Sequence, residues 1–196
     1  FYAGELSKSK DGVIINFGGL IGKAEKTYMS NCYFQGIIND HSVYHGTGGL
    51  AGRAINCSIS NCYVVCDFNV SSRFQSYLGV LIGYADADCT VKNCFSSGNV
   101  TYNSAYIENN QHGSYSYVGL LLGIKKATVE NCYYDMDSTI KTPTNSSSVL
   151  AVVNSGTACG VYNLKSVYFM KNTLCWDQSI WILEDGQYPK LRFELE

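Results

Sequence analysis

Nine cysteines, three histidines and a scatter of aspartates are the residues of this 196-residue chain that chemistry would use. Four of the cysteines share one setting: Asn31-Cys32-Tyr33, Asn61-Cys62-Tyr63, Asn93-Cys94-Phe95 and Asn131-Cys132-Tyr133. Thiols in such a series serve as metal ligands, as disulfide partners or as filler of a repeating wall. Structural zinc sites use close pairs such as Cys-x2-Cys, and none occurs here. Parallel side chains in one column rarely reach the disulfide dihedral. Free cysteine is among the most buried residue types, so the recurring thiol is expected in a core. Cys57 and Cys89 each lie five residues before a triplet cysteine, which makes them column neighbours and a candidate disulfide. Cys159 and Cys175 flank a helix-like stretch and are a second candidate pair.

Glycoside cleavage needs two carboxyl groups about 5 to 9.5 Å apart, a spacing that neighbouring coils would supply. Asp40, Asp67, Asp86, Asp88, Asp135 and Asp137 form no such ladder. Only Asp67 and Asp137 share an offset from the triplet, and they fall two coils apart. They read as turn residues. The Asp-x-Asp pairs at Asp86 and Asp135 fall short of the six to eight oxygens that calcium takes. His41 and His45 are four apart, but no Glu follows His41 as in metallopeptidases. The glycine run at residues 46–49 has no lysine and opens no helix, so it is not a phosphate loop. No Gly-x-Ser-x-Gly occurs. No catalytic residue, metal or cofactor is expected.

The elements that position these residues repeat. The runs Phe-Gly-Gly-Leu-Ile-Gly (17–22), Thr-Gly-Gly-Leu-Ala-Gly (47–52), Gly-Val-Leu-Ile-Gly (79–83) and Gly-Leu-Leu-Leu-Gly (119–123) align. Their closing glycines Gly22, Gly52, Gly83 and Gly123 are 30, 31 and 40 residues apart. The triplet follows each, with an apolar residue (Met29, Ile59, Val91, Val129) three before its cysteine. The apolar runs are short and rich in Val, Ile and Tyr, which favours strands over helices. Such a unit fits one coil of an all-β parallel β-helix, or β-solenoid, here of about four coils over residues 13–140. The glycines suit positive φ or close backbone approach, and the asparagines suit corners. Residues 1–12 read as a lead-in with no cap. Residues 141–196 read as a cap, with a short helix near 164–172 and a final strand at 188–193. Trp176, Trp181, Pro189 and Leu191 are expected to close the open end of the core.

The Gly-Gly-Leu-Ile-Gly and Met-Ser-Asn-Cys-Tyr-Phe-Gln-Gly runs (18–22 and 29–36) resemble GLUG-motif repeats, over about residues 13–137. Val80 and Leu120 depart from the motif's second glycine. The run 164–193 is similar to the segment that often closes such repeats, with Cys175 in place of the usual Gly. The resemblance implies a β-solenoid in a bacterial surface protein or adhesin, or beside the catalytic domain of an IgA-cleaving metallopeptidase. It implies no activity for the repeats.

A net charge of −2 without a basic stripe argues against nucleic-acid partners. No apolar run reaches the roughly 18 residues of a membrane helix. The column Tyr33, Tyr63, Phe95 and Tyr133 would be a recognition stripe if it faced outward, and is otherwise a strand face shielded by neighbouring coils. Residues 102–117 read as an inserted loop, with Tyr102, Tyr106, Tyr115 and Tyr117 as candidate contacts for proteins or glycans. Asn56, Asn69, Asn99 and Asn145 are N-glycosylation acceptors by pattern. The expected function is a non-catalytic extracellular or cell-surface module, structural or adhesive. The alternatives are a subunit of an end-to-end filament and a carbohydrate-active β-helix enzyme.

Overall fold

The computed structural model describes residues 2–8, 14–41, 44–72, 75–104, 115–124, 126–141 and 149–192. Its strands stack as the repeat demands, each pairing in parallel with its copy one coil away. The first wall holds Ile14–Gly18, Tyr44–Gly48, Ser76–Gly79, Tyr115–Gly119 and Val149–Val152. The second holds Ile21–Glu25, Ala51–Ile55 and Ile82–Ala85, with Leu122 bridged to Ile82. The third holds Tyr28–Ser30, Ser58–Ser60, Thr90–Lys92 and Thr128–Glu130. The long wall holds Tyr2–Lys8, Tyr33–Asp40, Tyr63–Ser72, Phe95–Ser97, Tyr133–Asp135 and Thr157–Cys159. Val100–Ser104 and Ile140–Lys141 continue it on the upper coils. The solenoid of about four coils is therefore present. The lead-in is not bare: Tyr2–Lys8 pairs in parallel with Tyr33–Asp40 and extends the long wall by one strand.

The triplet asparagines turn the third wall into the long wall. Asn31, Asn61, Asn93 and Asn131 all sit at φ between 50° and 53°, the left-handed region that asparagine tolerates. Their amides also chain together, Asn93 Nδ2 donating to Asn61 Oδ1 at 3.3 Å and Asn131 Nδ2 to Asn93 Oδ1 at 2.8 Å. Asn61→Ala is expected to lose about 1–2 kcal/mol to backbone strain alone. Asn61→Gly should recover most of that, since it relieves the strain while losing the same amide. Urea denaturation of the pair measures the difference; equal losses would place the whole effect in the amide ladder.

The motif glycines Gly22, Gly52, Gly83 and Gly123 do not have positive φ, contrary to one of the two expectations. They serve close approach instead. A Cβ on Gly52 would lie 2.5 Å from the carbonyl oxygen of Gly46, and one on Gly22 2.6 Å from that of Asn16. The first and second walls thus meet backbone to backbone, with no room for a side chain between them.

The second glycine of the motif has a different partner. A Cβ on Gly19 would run into the Phe34 ring, and one on Gly49 into Val64. On the third coil Val80 takes that place, and the long-wall residue in register with Val64 shrinks to Ser96. Volume is exchanged between facing walls, which is how a close-packed core tolerates the departure.

The cap is where expectation and structure part. The single helix expected over residues 164–172 is broken into an α-helical turn, Val161–Leu164, and a π-helical turn, Phe169–Thr173. Trp181–Ile182 pairs antiparallel with Lys190–Leu191, a shorter final strand than expected. Trp176, Trp181, Pro189 and Leu191 are buried, but not over the end of the core. Thr173 O accepts from Asn131 Nδ2 at 2.6 Å on the fourth coil. Trp176 Nε1 donates to Asn93 O at 3.0 Å on the third, and Trp181 Nε1 to Asn31 Oδ1 at 3.3 Å on the first. The segment runs down the outside of the long wall as a strap.

Candidate functional site

The strap decides the fate of the aromatic column. Tyr33 stacks on Tyr63 at 4.9 Å and Tyr63 on Phe95 at 4.8 Å, with planes 2° and 8° apart. These rings point away from the solenoid core and form a second core with the strap. Trp176 lies 5.6 Å from Phe95, Trp181 5.9 Å from Tyr63, and Tyr188 6.1 Å from Tyr63. Tyr63 donates its hydroxyl to Pro189 O at 2.6 Å and accepts from Gln35 at 2.9 Å. Phe169 meets Tyr133 edge-on at 5.0 Å. The column faces outward, yet the chain's own end covers it rather than the neighbouring coils, so it is not a free recognition stripe.

The candidate loop tyrosines divide. Tyr102 is no loop residue: it lies in Val100–Ser104, is buried, and its hydroxyl shares hydrogen bonds with Ser116 (2.6 Å) and Ser76 (3.0 Å). It pairs with Val70, which puts it on the core face of the long wall. Tyr115 and Tyr117 belong to the strand Tyr115–Gly119, and Tyr106 lies outside the described residues. Tyr117 is half-buried and stacks on Tyr77 at 5.4 Å, with planes 9° apart.

Around Tyr77 lies a cluster that reading the sequence missed. Tyr84 meets Tyr77 edge-on at 5.1 Å. The Arg53 guanidinium carbon sits 4.8 Å over the Tyr84 ring, and Lys126 Nζ 5.4 Å from its centroid and 3.4 Å from its hydroxyl. Gln75 donates to the Tyr77 hydroxyl at 2.9 Å. Partial burial, with Tyr117 and Tyr84 close by, pushes the Tyr77 phenol up against the pull of Lys126 and Arg53, so the ring is neutral at ordinary pH. A signal existed: Lys23, Arg53 and Tyr84 each follow a closing motif glycine, and they pair in register. Identical residues mark a repeat; this column differs on each coil and so escapes notice.

The thiols behave as wall residues. Cys62, Cys94 and Cys132 are buried and Cys32 is half-buried. Each donates to the carbonyl two residues back, at 3.1 to 3.2 Å. Cys57 and Cys89 do share a column on adjacent coils, the Cys57 amide donating to Cys89 Sγ at 3.3 Å. All nine cysteines are free thiols, including Cys159 and Cys175 of the second candidate pair. Burial pushes Cys66 and Cys94 well above the ordinary thiol range and Cys89 up to about 12. An unfolded thiol ionises near about 8.5, so this contribution to stability is full below that pH. It declines as pH rises from there through the folded value of about 12. With a thiol reagent at pH 8, Cys175, exposed, should react at once and Cys32 slowly; the other seven should wait for unfolding. Rapid titration of several thiols in the folded protein would contradict this packing.

The acids hold loops. Asp67 Oδ1 takes the Asn99 amide at 2.7 Å, and Asp86 Oδ1 takes the amides of Asn56 (3.1 Å) and Asp88 (3.2 Å). Buried Asp135 takes the Ser97 hydroxyl at 2.8 Å, and buried Asp40 that of Thr47 at 2.6 Å. His41 Nδ1 pairs with Ser71 Oγ at 2.7 Å. Of the glycosylation acceptors, Asn56, Asn69 and Asn99 are exposed and Asn145 lies outside the described residues. Asn56 also lines a groove of about 330 Å³ with Lys26, Tyr28, Cys57 and Asp88. No His/Cys/Asp/Glu group suited to a metal occurs among the described residues.

Comparison with known proteins fits this architecture. The GLUG motif matches residues 44–65 and 75–101, which are the second and third coils. Curated proteins give no match. Among solved structures the chain is similar to a crystal structure titled a "putative immunoglobulin A1 protease" from Bacteroides ovatus, with a TM-score of 0.54 and 19% identity. That likeness covers 98% of this chain and 57% of the other, so the chain spans little over half of its neighbour's length. The chain is therefore a β-solenoid that carries GLUG motifs on its second and third coils, with similar glycine runs and Asn-Cys-aromatic corners on the coils to either side.

Proposed function

We propose that the chain is a non-catalytic structural module of an extracellular or cell-surface protein, a stiff rod whose flank serves adhesion. The observation that supports this best is the in-register stacking of whole coils. Every wall repeats residue over residue, from Tyr33↔Tyr63↔Phe95↔Tyr133 in the long wall to Tyr28↔Ser58↔Thr90↔Thr128 in the third. Such ladders resist bending because each backbone group is held from above and below. Four of the six candidate carboxylates, Asp40, Asp67, Asp86 and Asp135, are engaged in hydrogen bonds that hold walls and turns, which favours scaffolding. The likeness to little over half of a longer chain fits a module that works within a larger protein.

Beads carrying the purified protein are expected to be retained under flow on a glycoprotein-coated surface, with no product released from peptide or polysaccharide substrates. Loss of retention would remove the adhesive role. Turnover abolished by Asp67→Asn or Asp137→Asn would replace the module with the carbohydrate-active enzyme.

The filament reading draws on one observation. The outermost described strands of the long wall, Tyr2–Lys8 and Thr157–Cys159, each pair on one side only, and a parallel stack can accept another strand there. Sedimentation velocity separates the readings: a coefficient that grows with concentration favours the filament, and a constant one the single rod.

A further inference from the structure

We propose that the cluster of Tyr77, Tyr84, Tyr117, Arg53 and Lys126 is a binding site for an acidic glycan, a sugar chain carrying carboxylates or sulfates. The proposal deepens the adhesive reading, on which it rests. Its first support is the guanidinium. The Arg53 guanidinium carbon sits over the Tyr84 ring, and Nε is buried with no hydrogen-bond partner among the described residues. A buried, unpaired donor is costly, and the groups that best match the arginine fork are carboxylates and sulfate-like anions. Among the described residues, two acids at the ends of the second-wall strands are engaged elsewhere. Glu25 pairs with Lys23 at 3.0 Å, and Asp86, which feels the charge of Arg53, holds the amides of Asn56 and Asp88.

The second support is the shape of the aromatic part. Tyr117 covers one face of Tyr77. On the coil below, the residue in register is Gly46, which has no side chain to cover the other. A sugar ring stacking there would lie on the same coil as Arg53 and bring its acidic group towards the fork. Lys126, exposed, adds a second positive charge at the rim. A neutral sugar would have no use for the guanidinium. A nucleic acid would need a basic stripe, whereas the chain carries a net charge of −2.

The test is calorimetry of the whole protein with a galacturonate octasaccharide, a sulfated octasaccharide and a neutral galactose octasaccharide. At least one acidic probe should bind, more weakly as salt is raised, and the neutral one about tenfold more weakly or not at all. Arg53→Gln should weaken acidic binding about tenfold or more, and Lys126→Gln less. Tyr77→Leu should weaken it with the charges intact, while Tyr28→Ser, at an exposed tyrosine in a different wall, should change nothing. Lys126 is exposed, so its variant keeps the test valid if Arg53→Gln fails to fold. Equal binding of all probes, binding indifferent to both cation variants, or no binding by folded protein overturns the site. Beads retained on glycoprotein without any octasaccharide binding would overturn the site and leave the adhesive module standing.

Discussion

Gly83→Ala, a single methyl group, is expected to destabilise the solenoid by about 3 kcal/mol or more, at the top of the range for overpacked cores. The added Cβ would be pressed against the Thr47 amide nitrogen and lie 2.6 Å from the Gly52 carbonyl oxygen and 2.7 Å from that of Thr47. All three are backbone atoms, so no side chain can swing away. They also belong to the ladders that join the second coil to the third, and relief at Gly83 has to shift Ala51–Ile55 or Tyr44–Gly48. In thermal unfolding this corresponds to a fall of roughly 6–12 °C for a chain of this size. Gly160→Ala is the control. Gly160 has φ of −67°, and the nearest atom to an added Cβ would be Met136 Sδ at 3.9 Å. Its effect should stay within about 0.5 kcal/mol. A small loss at Gly83, equal to that at Gly160, would mean that the first and second walls do not meet backbone to backbone.

That contrast bears on what a sequence can reveal. The period, the number of coils and the asparagine corners were readable because each recurs at a nearly fixed offset, and a recurring residue reports a recurring environment. The same glycine, however, answers two demands, positive φ and close approach, and repetition alone does not separate them. The placement of the strap was hidden for a related reason. Tyr33, Tyr63 and Phe95 would look the same in sequence whether solvent, neighbouring coils or a distant segment covered them. The partners are Trp176 and Trp181, more than 80 residues from Phe95, and no local pattern joins them. In sequence Tyr102 reads as part of the loop because polar residues follow it. Its core position comes from pairing with Val70 across coils, which the extra length of that coil obscures. Arg53 and Tyr84 were missed because they vary where repetition was the signal.

Trp181→Ala is expected to cost about 3–5 kcal/mol, in the range for burying and then deleting a large aromatic side chain. Trp181 is fully buried, stacked on Trp176 at 4.6 Å and set against Tyr63 and Tyr33, and its indole N–H reaches Asn31. The loss should be local rather than global. The coils are joined by their own ladders and an inner core of Leu50, Leu81, Ile82 and their neighbours, none of which needs the strap. The variant should therefore keep the far-ultraviolet signal of the solenoid while the strap peels away. Protease should cut within residues 161–192 at low dose, and amides there should exchange early. The bared stack of Tyr33, Tyr63 and Phe95 should bind a hydrophobic dye that the native protein ignores. Collapse of the far-ultraviolet signal in step with strap release would show instead that the two cores fold as one unit. That outcome would make the strap a structural necessity of the rod. Retention of the signal would make it a separable cover over an aromatic face that the solenoid builds on its own.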